Sequence, residues 1–253
     1  MADLTAGAFP TAGARPTVIP IVALDVPDRA GAEAIVERLG ESCAFYKVGL
    51  ELFAAEGPTI VAWLRGQGKQ VFVDLKLHDI PNTVRGAARS VARHGASLLT
   101  IHASGGAEMI AAAVAGALEG APDGGCGILG VTVLTSTDGH GLAAAWGRSG
   151  PLDVQQEVLR LAGDVAEQGG AGIVCSGHEA AVVRAAHGER LGLLIPGIRL
   201  PGGDAHDQRR VMTPAAAADA GARWLILGRA VTGAADPVAA MGAVYADLEA
   251  RAV

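Results

Sequence analysis

A chain of 253 residues, half of them hydrophobic and 18% charged, can bury a sizeable core in one large domain or two small ones. Its formal net charge of -6, with twenty Lys and Arg scattered along the chain, argues against the basic stripe that a nucleic-acid surface needs. Cys43, Cys126 and Cys175 lie far apart and outside any CxxC pairing, which argues against both a disulfide framework and a zinc site.

Residues 1–16, "MADLTAGAFPTAGARP", are rich in Gly, Ala and Pro and read as a loose tail ahead of a domain over 17–253. They lack the basic start and apolar run of a signal peptide. No later stretch offers about 18 unbroken apolar residues, so no membrane partner is expected and the expected location is cytoplasmic. From there, short runs of Val, Ile and Leu alternate with segments of helical period. The predicted strands are "TVIPIVALDV" (17–26), "FYKVGLEL" (45–52), "QVFVDLKL" (70–77), "SLLTIHA" (97–103), "GILGVTVLT" (127–135), "GIVCSG" (172–177), "LGLLIPGI" (191–198) and "RWLILGRA" (223–230). Among the helical patterns between them are "DRAGAEAIVERLG", "PNTVRGAARSVARHG" and "LDVQQEVLRLAGDVAEQGG", the last ending on a Gly pair that suits a helix C-terminus.

Eight such alternations in a chain of this length predict an α/β fold, a single (β/α)8 TIM barrel with its active site at the C-terminal ends of the strands. A doubly wound sheet would normally carry a glycine fingerprint after its first strand, where "ALDVPDRAG" has a carboxylate instead.

The third strand is unusual in holding charges within an apolar run. Side chains alternate along a strand, so Asp74 and Lys76 share a face with Phe72, while Val73, Leu75 and Leu77 take the other. The aliphatic set must meet the helices, which leaves Asp74 and Lys76 pointing into the barrel near its catalytic end. Asp25 closes the first strand and Lys47 sits in the second, so three neighbouring strands send four charges toward one mouth. A structural ion network is the plain reading of any one of them. Four together are hard to explain by folding, because buried ion pairs are often no better for stability than apolar replacements. Unit charges about 4 Å apart interact by roughly 4 kcal/mol at an effective dielectric near 20, enough to keep Lys76 protonated between carboxylates. Asp79 falls beyond the strand, just before Pro81, and its spacing reads as a helix cap.

"DLKLHDIPNT" resembles the Asp-x-Lys-x-x-Asp signature of the orotidine 5'-monophosphate decarboxylases, with the Ile-Pro-Asn-Thr tail of the bacterial type. The likeness extends along nearly the whole chain, through "ALDVPD", "KVGLELF", "TIHASGG", "VTVLTS", "PGIR" and "LGRA" in the family's order. The third-strand signature alone is shared with related sugar-phosphate decarboxylases of the same barrel superfamily. The resemblance implies decarboxylation of orotidylate to UMP and carbon dioxide, the last step of de novo pyrimidine nucleotide synthesis, without cofactor or metal.

It also implies roles for individual residues. Asp25 and Lys47 would hold the ribose hydroxyls, Lys47 joining the charge network as well. Lys76 would be the general acid and Asp74 would lie beside the substrate carboxylate. Asp79 and Thr83 would reach into the neighbouring site of a homodimer, replacing the capping role. Thr135 would contact the pyrimidine, and Arg199, Gln208, Gly228 and Arg229 would surround the phosphate. Barrels often bind phosphate with the loops after strands seven and eight, which Arg199 and Arg229 follow. The segment "LPGGDAHDQRR" would fold over the ligand, with Gly202 and Gly203 as its hinge. The seven histidines include no HxH or HxxxH grouping, in keeping with the absence of a dedicated metal site.

Overall fold

The computed structural model describes residues 18–200 and 212–250. The expected tail over 1–16 and the segment around Gly202, Gly203 and Gln208 lie outside the described residues. The strands are β1 (Ile19–Leu24), β2 (Phe45–Val48), β3 (Gln70–Leu77), β4 (Leu98–His102), β5 (Gly127–Val131), β6 (Gly172–Val174), β7 (Gly192–Ile195) and β8 (Ala222–Leu227). Each pairs in parallel with the next and β8 pairs with β1, so the sheet closes as the expected eight-stranded barrel with helices outside it.

Strand starts match the sequence reading better than strand ends do. "FYKVGLEL" leaves the sheet at Val48, and Leu50–Glu56 is helical. "GILGVTVLT" leaves it at Val131, so Thr135 stands in the following loop rather than on the strand. "RWLILGRA" ends at Leu227, and Arg229 opens a short helix, Arg229–Thr232. After β5 the apolar run continues because Val133 and Leu134 line a cavity, and hydrophobicity does not reveal where backbone pairing stops.

Local chemistry sets the helix starts. Asp28 caps Arg29–Leu39 by accepting the Gly31 N–H at 2.9 Å, and Asp153 caps Val154–Glu167 by accepting the Gln156 N–H at 3.1 Å. Asp79 does not behave in this way. The helix Pro81–Arg93 has Ile80 at its cap position with no side-chain bond, and the Asp79 carboxylate accepts the Ile80 N–H at 2.6 Å instead. Pro81 has no N–H to offer, and the Thr83 N–H is already bonded to the Ile80 carbonyl at 3.0 Å, so little remains for a capping carboxylate to satisfy.

Two apolar layers follow from the pleat. Outward residues such as Val22, Tyr46, Val71, Val73, Leu99 and Ile101 pack beneath the helices, while Ile21, Phe45, Phe72, Leu98, Leu129, Leu194 and Trp224 fill the barrel interior. The helix after β3 is fixed tightly to its neighbour Ala107–Gly120. A side chain at Gly116 or Gly120 would run into the backbone carbonyls of Arg85 or Arg89, and Arg85 and Arg89 both pair with Glu119 across the contact. This anchors the segment carrying Asp79 and Thr83. Among the described residues, no helix is long and apolar enough to cross a membrane.

Candidate active site

The inward residues change character toward the C-terminal ends of the strands. Phe45 is followed at the next inward position by Lys47, Phe72 by Asp74, and Leu98 by Thr100. Above the apolar plug lies a cavity of about 230 Å³, lined on one side by Asp25, Lys47, Phe72, Asp74 and Lys76. Its other side is made by Val131, Val133, Leu134, Thr135, Val174, Cys175, Leu194, Pro196 and Ile226.

The charges form one chain of contacts. Lys47 Nζ donates to Asp25 Oδ1 at 2.7 Å and lies 3.8 Å from Asp74 Oδ2, while Lys76 Nζ donates to Asp74 Oδ1 at 2.8 Å. The Lys47 and Asp74 side chains are nearly buried, with 10% and 13% exposure, whereas Asp25 at 65% faces the open mouth. Each lysine therefore has a carboxylate partner in its partly desolvated position. Gly49, which ends β2, leaves room for this array. A Cβ there would stand 3.0 Å from Lys47 Nζ and 3.2 Å from Asp25 Oδ1.

β3 does not run through this region as a regular strand. Lys76 has φ of +50°, alone among non-glycine residues in the described part of the chain, and the β3–β4 register shifts between Val73 and Leu77. Thr100, fully buried on β4, stands at the shift. Its hydroxyl donates to Asp74 Oδ1 at 2.8 Å and accepts the Lys76 backbone N–H at 3.0 Å. The sequence reading missed Thr100, although a hydroxyl set between the apolar residues Leu99 and Ile101 was the signal that could have found it. It also missed the apolar wall, whose residues look like any other core in sequence.

The remaining site residues that the structure describes occupy the same end of the barrel without lining the cavity. Asp79 and Thr83 are exposed on the loop and first helical turn after β3. Arg199 follows β7, where its backbone N–H bonds the Met212 carbonyl at 2.9 Å, and Gly228 and Arg229 follow β8. Two other groups complete the surroundings. His102, at the end of β4, has its ring 5.6 Å from that of His78; burial first, then His78 and Lys76, hold its imidazole below the ordinary value, with Asp74 opposing. Burial pushes the Cys175 thiol well up, and Glu179 adds to it, so Cys175 is a protonated, unreactive part of the wall. Among the described residues, no group of three or more His, Cys, Asp or Glu could hold a metal ion.

The sequence and the fold match one family over nearly the whole chain. The family model described as "Orotidine 5'-phosphate decarboxylase / HUMPS family" matches residues 19–244. The chain belongs to this family. Family members named orotidine 5'-phosphate decarboxylase include one from Anaeromyxobacter dehalogenans, 51% identical over 226 residues, covering 89% of this chain and 96% of that protein. Another, from Moorella thermoacetica, is 46% identical over 236 residues, covering 90% and 91%. The crystal structure of orotidine 5'-phosphate decarboxylase from Lactobacillus acidophilus superposes with a TM-score of 0.82 at 34% identity, covering 92% of this chain and 99% of that one.

Proposed function

We propose that the protein is a carboxy-lyase that converts orotidine 5'-monophosphate to UMP and carbon dioxide without a cofactor. The observation that carries this reading is the Lys76 ammonium held 2.8 Å from Asp74 at the mouth of a cavity with one charged and one apolar wall. Relatives at 46–51% identity carry the name of that activity.

When the bond from C6 to the substrate carboxylate breaks, carbon dioxide departs and the electron pair stays on C6, where the pyrimidine delocalises it poorly. Lys76 stabilises that charge by proximity and then gives C6 a proton. The neutral amine regains its proton from solvent. A positive charge aimed at developing negative charge in a partly desolvated site is worth far more than in water and needs no rearrangement during the reaction. Asp74 holds the Lys76 side chain in place through their 2.8 Å contact. Asp25 and Lys47 hold the ribose hydroxyls, Thr135 meets the pyrimidine from the loop after β5, and Arg199, Gly228 and Arg229 receive the phosphate, with Gln208 assigned there by resemblance. Phosphate binding, remote from C6, supplies energy that orients the base against Lys76.

The working unit in this reading is a homodimer. Asp79 and Thr83 are exposed beside the mouth and do not line the cavity of their own chain, and the adjacent Ile80 is 66% exposed, a placement suited to completing a partner's site. Mixing Lys76→Ala with Asp79→Ala chains should regain activity in verified heterodimers. Their complete inactivity would count against sharing.

The family model's description also names a HUMPS branch, and the rival reading by resemblance is a sugar-phosphate decarboxylase or hexulose-phosphate synthase, which would share the third-strand signature and need magnesium. A spectrophotometric assay of orotidylate loss, with and without chelator, separates the two readings. Turnover that survives chelation is expected. Absence of turnover, or turnover abolished by chelation, would overturn the proposal, and UMP binding without turnover would point to a silent nucleotide-binding barrel.

A further inference from the structure

We propose that Thr100 is a positioning residue of the decarboxylation: its hydroxyl holds Asp74 and the strained Lys76 backbone in the arrangement that aims the Lys76 ammonium. The inference rests on the activity proposed above and goes beyond the residues assigned to it.

It starts from the strand register. Phe72 pairs with Leu98 and Val73 with Leu99, but the next pair is Leu77 with Ile101. Asp74, Leu75 and Lys76 on β3 therefore face one residue on β4, Thr100. This is a bulge between parallel strands, a rare device that re-aims side chains and recurs beside active sites. The excess chain is taken up at Lys76, whose φ of +50° lies in a region that residues with a Cβ seldom occupy.

A bulge breaks the ladder, and the amide it displaces must still be satisfied. The Lys76 N–H reaches the Thr100 hydroxyl oxygen at 3.0 Å in place of a backbone carbonyl. The same oxygen's single hydrogen goes to Asp74 Oδ1 at 2.8 Å, and Lys76 Nζ reaches that carboxylate oxygen at 2.8 Å. The hydrogen bonds thus form a closed circuit from the Lys76 backbone through Thr100 and Asp74 to the end of the Lys76 side chain. With Oδ1 engaged twice, Oδ2 is turned toward Lys47, 3.8 Å away. Thr100 is fully buried, so water does not stand in for the hydroxyl if it is removed. A methyl in its place would leave a backbone amide unsatisfied and a carboxylate free to rotate. Both changes act on the one ammonium on which the chemistry depends and leave the phosphate contacts alone, while Lys47 keeps its 2.7 Å bond to Asp25.

The test uses full-length parent protein with Thr100→Val, Thr100→Ala and Thr100→Ser, reading kcat, KM for orotidylate, UMP affinity and melting temperature. Misplacing a catalytic group by about 1 Å can cost on the order of 100-fold in rate. Thr100→Val is therefore expected to lose about that much in kcat while UMP affinity stays at the parent value, with Thr100→Ser restoring most of the rate. Thr100→Ala serves the same purpose if the Val protein fails to fold. Parent-like kcat in the Val or Ala protein overturns the proposal, as does an equal loss in Ser and Val, or a parallel loss of kcat and UMP affinity. Parent protein that does not turn over orotidylate would sink the functional reading alone. Crystals of the Thr100→Val protein would still decide the positioning role, since an unmoved Lys76 Nζ and Asp74 would refute it.

Discussion

The interior of the barrel is built from the same strands twice over, once as a plug and once, a single inward position higher, as a reaction site. Phe45, Phe72 and Leu98 lie in the lower layer, and Lys47, Asp74 and Thr100 follow them two residues later. Across β2, β3 and β4 the lower layer keeps the regular register that close packing rewards, with Phe72 paired to Leu98. The upper layer gives up that regularity at the β3 bulge and accepts backbone strain at Lys76. The contrast teaches that the pleat delivers both sets of residues to the same axis, and only their chemistry decides whether the position contributes to stability or to catalysis.

The sharpest way to break this contrast is Lys76→Ala. It should lower kcat on the order of 10⁴-fold or more while the protein remains folded, because it removes both the charge stabilisation and the proton. Near-parent turnover of orotidylate in this variant would end the mechanism. Leu98→Ala probes the layer below. Removing most of a side chain that is 5% exposed in the plug should cost about 2–5 kcal/mol in denaturant unfolding, with kcat of the folded protein changing far less than in Lys76→Ala. A kcat loss as large as that of Lys76→Ala, without loss of stability, would show that the layers are not separable.

A smaller effect isolates the strain. Lys76→Gly and Lys76→Ala lose the same ammonium, yet glycine adopts a φ of +50° at no steric cost. The glycine variant should be more stable by about 1 kcal/mol, the left-handed penalty reduced by glycine's greater chain entropy when unfolded. Equal melting temperatures would mean that the backbone relaxes once the lysine is gone.

The smallest expected effect concerns pH. The folded state holds the His102 imidazole below its ordinary value of 6.5, mainly by burial and then by His78 and Lys76 against the opposing Asp74. As pH falls through 6.5 the unfolded chain takes up this proton first, so His102 subtracts stability on the acid side. His102→Gln should flatten the fall of melting temperature below that pH. An unchanged acid slope would assign the pH response to other groups.

Much of this was legible before folding was considered. The eight apolar runs in "TVIPIVALDV" through "RWLILGRA" coincide with the eight strands, missing only Ala222 at the start of β8, and period-two alternation in "QVFVDLKL" sent Asp74 and Lys76 inward. Asp25 and Lys47, which the strand pattern sent to the mouth, also line the cavity, as does Thr135, which only the resemblance had singled out. Asp79 as a helix cap was misread, because spacing could not register that Pro81 and the Ile80 carbonyl had already used up the need for one. Strand ends were overrun for a similar reason, since Val133 and Leu134 are as apolar as the strand before them while lining a cavity instead of pairing.

The sequence by itself determined the barrel and the face on which its charges lie, because both depend on short periodicities that one chain displays directly. The tertiary structure decided how those charges meet. A 2.8 Å contact between Lys76 and Asp74, residues only two apart in the chain, needs a left-handed turn at Lys76 and a hydroxyl from the neighbouring strand to accept the displaced amide. That requirement spans 24 residues of sequence, from Lys76 to Thr100. Closure of the barrel brings the two strands together, and no local pattern in the sequence records it.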